Sequence, residues 1–458
     1  MLQCGKRRRF IMKNSTGKWL LVTFLIGLSV LCFALYDQYF SGDKPTVPDN
    51  PAQAEPAEPA GPKPDEPATD DADKPKTVYN EFPRKPSVYE NMAAQNVGGL
   101  GKEQLFEVYD SSDGYYLFFD SASDSYDVNS DGAKKSAVMA KVSSNLTLEY
   151  VSVIAKSESF LSVKITPNGF FVATSGDEFD RFYDVSFDGE VRSSVFSDKS
   201  KSVFTYLSDG EILCFLAQND KLAVKVFSFS LDVLRTTSVT FLGAEKIFSV
   251  LPDKSSFNVV AASNDCFKVF DFNRTDGFVG EKLNVNARLC NFEPFVSDGK
   301  QCYFYQAETS DSLLLCTLDS SFFVLKKTTL DKPEKAFSVP VENGFLVLTA
   351  LGGETKWLLF CEHLDFVVRA DVDMTCDELC FHTKGIGGET LCFLSDGKLV
   401  YGTFSGGKLN VTHSFEGASG GVSANGAYAF CGTAKNGFFQ SSFGDSDVFV
   451  LRPSDMRQ

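Results

Sequence analysis

The chain repeats one turn signal at a nearly constant interval along most of its length. Asp113-Gly114, Asn168-Gly169, Asp209-Gly210, Asp253-Lys254, Asp298-Gly299, Asn343-Gly344, Gly387-Gly388 and Asn425-Gly426 each separate two short apolar runs. Their first residues stand 55, 41, 44, 45, 45, 44 and 38 apart. Asn-Gly and Asp-Gly supply the positive φ angles that tight hairpins need, so each mark predicts a hairpin. The clearest unit has apolar runs at 202–207, 211–217, 222–230 and 236–241, rich in β-branched and aromatic residues. Such short runs predict four strands per unit. No stretch of the repeats sustains a 3.6-residue period, so little helix is expected. Many runs are apolar on both faces, as a sheet packed between neighbouring sheets requires.

A unit of about 44 residues with four strands resembles a blade of the β-propeller superfamily, and the resemblance covers about three quarters of the chain. It rests on repeat length and turn placement. The Trp-Asp dipeptides of WD40 repeats are absent, since the two tryptophans, Trp19 and Trp357, are each followed by Leu. The kelch, quinoprotein and sialidase repeat motifs are absent too. The expected fold is all-β: a propeller over 100–454 with about eight, alternatively seven, four-stranded blades. The long interval after Asp113 implies an insertion near residues 120–136.

The first hundred residues read differently. Residues 1–18 carry six basic residues and no acid, as a cytoplasmic tail would. Residues 19–36 are eighteen in a row without a charge. As a helix they reach about 27 Å, enough to cross a hydrocarbon core. The basic block ahead of them places the N-terminus in the cytoplasm and the rest outside. The run is long for a cleaved signal, and no small-residue cleavage site follows, so an uncleaved signal-anchor helix is expected. Residues 37–99 read as a disordered Pro/Ala/acidic linker, with nine of the seventeen prolines between 43 and 78. That composition favours an extended stem. The chain's net charge is −16. An acidic ectodomain repels phosphate backbones, which excludes nucleic acid as a partner.

Asp127, Asn129, Asp131 and Gly132 open like a calcium loop, with oxygen ligands at alternate positions and Gly at the sharp turn. Lys135 and Val138 then stand where further ligands belong, so an Asp-rich hairpin accounts for the same residues. Calcium at Asp127, Asn129 and Asp131 is the one cofactor considered. Ten of the twelve cysteines fall within the repeats, mostly inside strands, where Cys behaves as a small buried hydrophobe. Cys376, Cys380 and His382 lack a fourth ligand for structural zinc. Gly417-Ala418-Ser419-Gly420-Gly421 matches a nucleophile elbow in letters, but no His follows it. The acidic stretch Asp177, Glu178, Asp180, Arg181, Asp184, Asp188 and Glu190 is the one place where paired carboxylates could serve glycan hydrolysis.

These readings converge on a membrane-tethered extracytoplasmic propeller that binds a protein, peptide or glycan at the cell envelope, with no catalytic residues assigned. Two alternatives stand beside it: a propeller enzyme acting on envelope polysaccharide, and a scaffold subunit of a membrane complex. Carboxylates converging on the channel mouth would favour the enzyme, and an exposed apolar patch the binding module.

Overall fold

The computed structural model describes residues 77–79, 87–89 and 92–453, apart from 126, 129, 131, 254, 342–343, 386–387, 425–428 and 436–444. Three short strands come first: β1 (Thr77–Tyr79), β2 (Ser87–Tyr89) and β3 (Met92–Val97). Blade 1 follows with β4 (Glu103–Ser111), β5 (Gly114–Ser121), β6 (Ser136–Ser143) and β7 (Leu148–Lys156). Blade 2 holds β8 (Ser159–Thr166), β9 (Gly169–Ser175), β10 (Phe179–Ser186) and β11 (Val191–Asp198). Blade 3 holds β12 (Ser202–Ser208), β13 (Glu211–Gln218), β14 (Lys221–Ser228) and β15 (Val233–Thr240). Blade 4 holds β16 (Lys246–Asp253), β17 (Ser256–Ala262), β18 (Phe267–Asn273) and β19 (Gly277–Val285). Blade 5 holds β20 (Arg288–Ser297), β21 (Lys300–Glu308), β22 (Ser312–Leu318) and β23 (Val324–Asp331). Blade 6 holds β24 (Lys335–Val341), β25 (Gly344–Leu351), β26 (Glu354–Cys361) and β27 (Phe366–Arg369). Blade 7 holds β28 (Glu378–Gly385), β29 (Gly388–Ser395), β30 (Lys398–Ser405) and β31 (Lys408–Glu416). Blade 8 takes β32 (Ala418–Ala424), β33 (Ala429–Lys435) and β34 (Ser446–Pro453) from the end of the repeats.

The first strands of successive blades touch one another all the way round, from β4 through β8, β12, β16, β20, β24, β28 and β32 back to β4. This closes an eight-bladed propeller. Its fourth strand in blade 8 is β3, which pairs antiparallel with β34 from Met92↔Pro453 to Val97↔Val448. The ring is therefore closed by residues that the sequence places inside the linker. β2 pairs outside β3, and β1 pairs outside β7, so blades 8 and 1 carry a fifth strand. Residues 1–76, with the expected anchor at 19–36, lie outside the described residues. Among those described, no helix is long and apolar enough to cross a membrane.

Burial follows from the packing of sheet on sheet. The second strands are covered on both faces, as in β13, where all but its first residue are buried. The fourth strands alternate, as in β11, because their outward side chains face solvent. Phenylalanine fills the space between blades: Tyr109, Phe160 and Phe170 pack edge to face around Phe118, and Phe304 stacks on Phe345 at 4.1 Å between centroids. Chain direction then sorts the loops. The turn signals that are fully described, Asp113-Gly114, Asn168-Gly169, Asp209-Gly210 and Asp298-Gly299, each join a first strand to a second and lie on one face of the ring. The loops from second to third strand, and from blade to blade, lie on the opposite face. In blade 1 the second-to-third loop spans 122–135, where the insertion is expected.

Candidate functional site

Asp127 sits in that insertion and is buried. Its Oδ2 accepts the Gly98 N–H at 3.1 Å, and its own N–H donates to the Gly98 carbonyl at 3.3 Å. Neighbouring contacts have the same target. Ser125 Oγ accepts the Leu100 N–H at 3.0 Å, Ser123 Oγ accepts the Gly101 N–H at 2.7 Å, and Ala122 N–H donates to the Lys102 carbonyl at 2.9 Å. The insertion thus clamps residues 98–102, the link from the closing strand β3 to the first strand β4. Asp124 Oδ1 accepts the Ser130 N–H at 3.1 Å and shapes the loop itself. Asn129 and Asp131 lie outside the described residues. Among the described residues no three His, Cys, Asp or Glu side chains are grouped as metal ligands would be.

Beside the clamp lies a carboxylate that the spacing of the motif does not reveal. Glu103 opens β4 and is fully buried. Its Oε1 accepts hydrogen bonds from Ser121 Oγ at 2.9 Å and from Ser123 Oγ. Among the described residues its Oε2 has no side-chain hydrogen-bond partner. Asp447 of β34 is also fully buried and accepts the Asn96 side-chain amide at 2.8 Å. Both carboxylates face Gly98: a Cβ there would overlap Asp447 Oδ1 and stand 3.2 Å from Glu103 Oε2. Burial first, and the Asp447 charge second, push Glu103 from 4.5 up to about 7, against the two serine hydrogen bonds. The seam of the ring holds a titrating acid between its first and last blades.

The other residues singled out by sequence are dispersed. Asp180 is buried and accepts the Ser200 N–H at 2.7 Å, Asp184 pairs with Arg192, and Asp188 accepts from Ser186. These carboxylates lie on β10 and its turns, away from the first strands that ring the channel. Ser419 lies within β32, the inner strand of blade 8, with no strand-turn-helix around it. Cys376 is buried, and burial pushes its thiol up to about 12. Of the ten cysteines in the propeller, Cys214, Cys302, Cys316, Cys376, Cys392 and Cys431 are buried, and all ten are free thiols.

The outer rim carries the apolar feature. Phe323, Val324 and Leu325 lead into β23 and are 73, 58 and 57% exposed. On the next blade Phe366, Val367 and Val368 of β27 are 58, 55 and 44% exposed. Lys326 donates to Asp365 at 3.1 Å and brings together the two outer hairpins, each with three exposed apolar residues. β27 has only four residues, every one of them exposed, and forms the outer edge of its sheet. The sequence signal was available: three consecutive apolar residues in an outer strand cannot all face inward.

Comparison with solved structures matches the Dos1 propeller over 81% of this chain and 95% of that one, with a TM-score of 0.51 and 11% identity. The shared property is the propeller fold. Dihydro-heme d1 dehydrogenase NirN, in complex with DHE, matches over 74% of this chain and 77% of that one, with a TM-score of 0.49 and 12% identity. No family model and no curated protein matches the sequence.

Proposed function

We propose that the chain is a membrane-tethered interaction module whose propeller stands outside the cytoplasm and holds a protein or peptide partner on the rim of blades 5 and 6. The strip of Phe323, Val324, Leu325, Phe366, Val367 and Val368 carries this reading. An apolar strip along an exposed sheet edge is the usual mark of an interaction surface and a hazard when left bare. A strip of two Phe, three Val and one Leu without a polar side chain suits a protein better than a glycan, whose hydroxyls need polar partners. The basic block before residues 19–36 supports the tether and its orientation. Rigid blades holding a fixed surface at the end of an extended stem suit capture of a partner.

The test is a photo-cross-linking residue at Phe323 or Phe366 of the full chain in its native membranes. Discrete adducts are expected from both positions. None is expected from Phe196, which is 60% exposed on blade 2 and serves as the control. Absence of adducts at both rim positions would sink the proposal. A reporter fused after Gln458 that is active only in the cytoplasm would overturn the orientation.

A further inference from the structure

One position repeats around the propeller: the first residue of each inner strand, at the channel mouth on the face opposite the turn signals. From blade 1 to blade 8 it is Glu103, Ser159, Ser202, Lys246, Arg288, Lys335, Glu378 and Ala418. Three successive blades of a chain with net charge −16 thus place a cation there. Lys246, Arg288 and Lys335 line a single cavity of about 490 Å³. That volume falls within the range of small-molecule sites.

The charges around the cavity are unequally occupied. Glu245 is paired with Lys201, Glu308 stands 3.7 Å from Arg288, and Glu334 accepts the Gly352 N–H at 3.3 Å. Lys246 and Lys335 have no carboxylate within ion-pair distance among the described residues. The Lys246 ammonium stands 4.6 Å from the centre of the Phe248 ring, and Lys335 donates to the Asp377 carbonyl at 3.0 Å. An ammonium has three donors, so both retain donors for a ligand. With Glu245 engaged by Lys201 and Glu308 by Arg288, an anion between Lys246 and Lys335 compensates the two remaining ammonium charges.

Phenylalanines supply an apolar side to the cavity. Strands β16 and β20 each carry a bulge, between Ile247 and Ser249 and between Leu289 and Asn291. The extra residues are Phe248 and Cys290, and both line the cavity. The same first-strand bulge recurs in blades 1, 2, 7 and 8, and here it brings Phe248 and Cys290 into the cavity wall. Phe337 completes the apolar side. Burial first, and then the Glu308 charge, push the Cys290 thiol up to about 12, so it adds no negative charge to the cavity.

We propose that this channel mouth binds a small oxyanion, a carboxylate or phosphate carried on an apolar body, between Lys246 and Lys335 with Phe248 and Phe337 beside it. The glutamates in the wall and the acidity of the whole chain turn away polyanions. The site is separate from the rim strip, so either can fail without the other.

Calorimetric titration of the full-length chain with inorganic phosphate, and separately with benzoate, tests it. At least one probe is expected to saturate with a dissociation constant below about 1 mM at low salt. Saturation by phosphate alone assigns a phosphate ligand; saturation by benzoate alone, or by both, assigns a carboxylate with its aromatic body. The double variant Lys246→Ala/Lys335→Ala should weaken binding about tenfold or more. The charge-preserving Lys246→Arg/Lys335→Arg variant should retain it, and Lys356→Ala, an exposed lysine outside the cavity, should change nothing. Failure of both probes to saturate, or equal affinity in the wild type and the alanine double variant, would overturn the proposal.

Discussion

Glu103 is a buried acid whose protonation is linked to folding, and the sign of that linkage can be worked out. Its carboxyl is raised from 4.5 to about 7 in the folded state. Below about pH 4.5 both states hold the proton and the group costs nothing. Between about 4.5 and 7 the unfolded chain releases the proton while the folded chain keeps it, so stability falls as pH rises and then levels off. The full effect is on the order of 3 kcal/mol. Glu103→Gln keeps the shape without the charge. Urea midpoints for the two proteins are expected to coincide near pH 4.5, with the variant more stable at pH 8; parallel pH profiles would show that Glu103 does not titrate at the seam. Neither acid was legible as a site, because Glu103 and Asp447 come from opposite ends of the repeats and meet only when the ring closes. Asp127 was legible through its spacing, and its carboxylate accepts the Gly98 N–H. A second repeat was also hidden. Leu146, Leu231, Phe322 and Leu364 have φ of 57°, 65°, 66° and 57° at the same corner of blades 1, 3, 5 and 6. Their N–H groups donate to the carbonyls of Ser143, Ser228, Asp319 and Cys361, three residues earlier in each case. The left-handed conformation costs about 1–2 kcal/mol for a residue with a Cβ. Each side chain is buried, which contributes about 1.5–3 kcal/mol, so burial prevails by a small margin. Asp298-Gly299 declares its positive φ in its letters, whereas His363-Leu364 does not.

Among the elements, the turn signals located the first-to-second hairpins because tight turns restrict residue type. Strand β3 was not legible, since Met-Ala-Ala-Gln-Asn-Val has little β-branched or aromatic content. Its strand conformation is imposed by β34, and five of its six residues are buried as a result. Ala94 lies between Leu451 of β34 and Ser87 of β2, in the interior of the sheet. Proline there removes a ladder hydrogen bond and strains the ring closure. Ala94→Pro is expected to destabilise the propeller on the order of 3 kcal/mol. Val88→Pro, on the three-residue edge strand β2, should cost less than about 1 kcal/mol, because edge strands tolerate proline. Chemical denaturation of the two variants checks this, and equal losses would mean that β3 does not close the ring. The chain enters the propeller along β1 and β2, outside blades 1 and 8, before β3 completes the last blade.

At the scale of the whole molecule, that entry sets a direction. β1 and β2 cover the outer edges of blades 1 and 8, while the apolar strip occupies blades 5 and 6, and blade 5 lies four places from blade 1 in a ring of eight. On that opposite rim Arg369 is the only charged residue of β27. Elsewhere the outer strands carry polar and charged side chains that discourage edge pairing, as in Arg192 and Asp198 of β11. Because Phe323 and Phe366 are 73 and 58% exposed, replacing both by Asp removes little from the core. Phe323→Asp/Phe366→Asp should therefore unfold within about 0.5 kcal/mol of the wild type. Binding responds differently. A buried charge facing the apolar centre of an interface costs at least about 2 kcal/mol, roughly thirtyfold in affinity. The cross-linked adduct formed through Val367 should then be lost from a protein whose denaturation midpoint has not moved. If adduct and midpoint both survive the double substitution, the strip is ordinary exposed rim; if both fall together, its residues serve the fold.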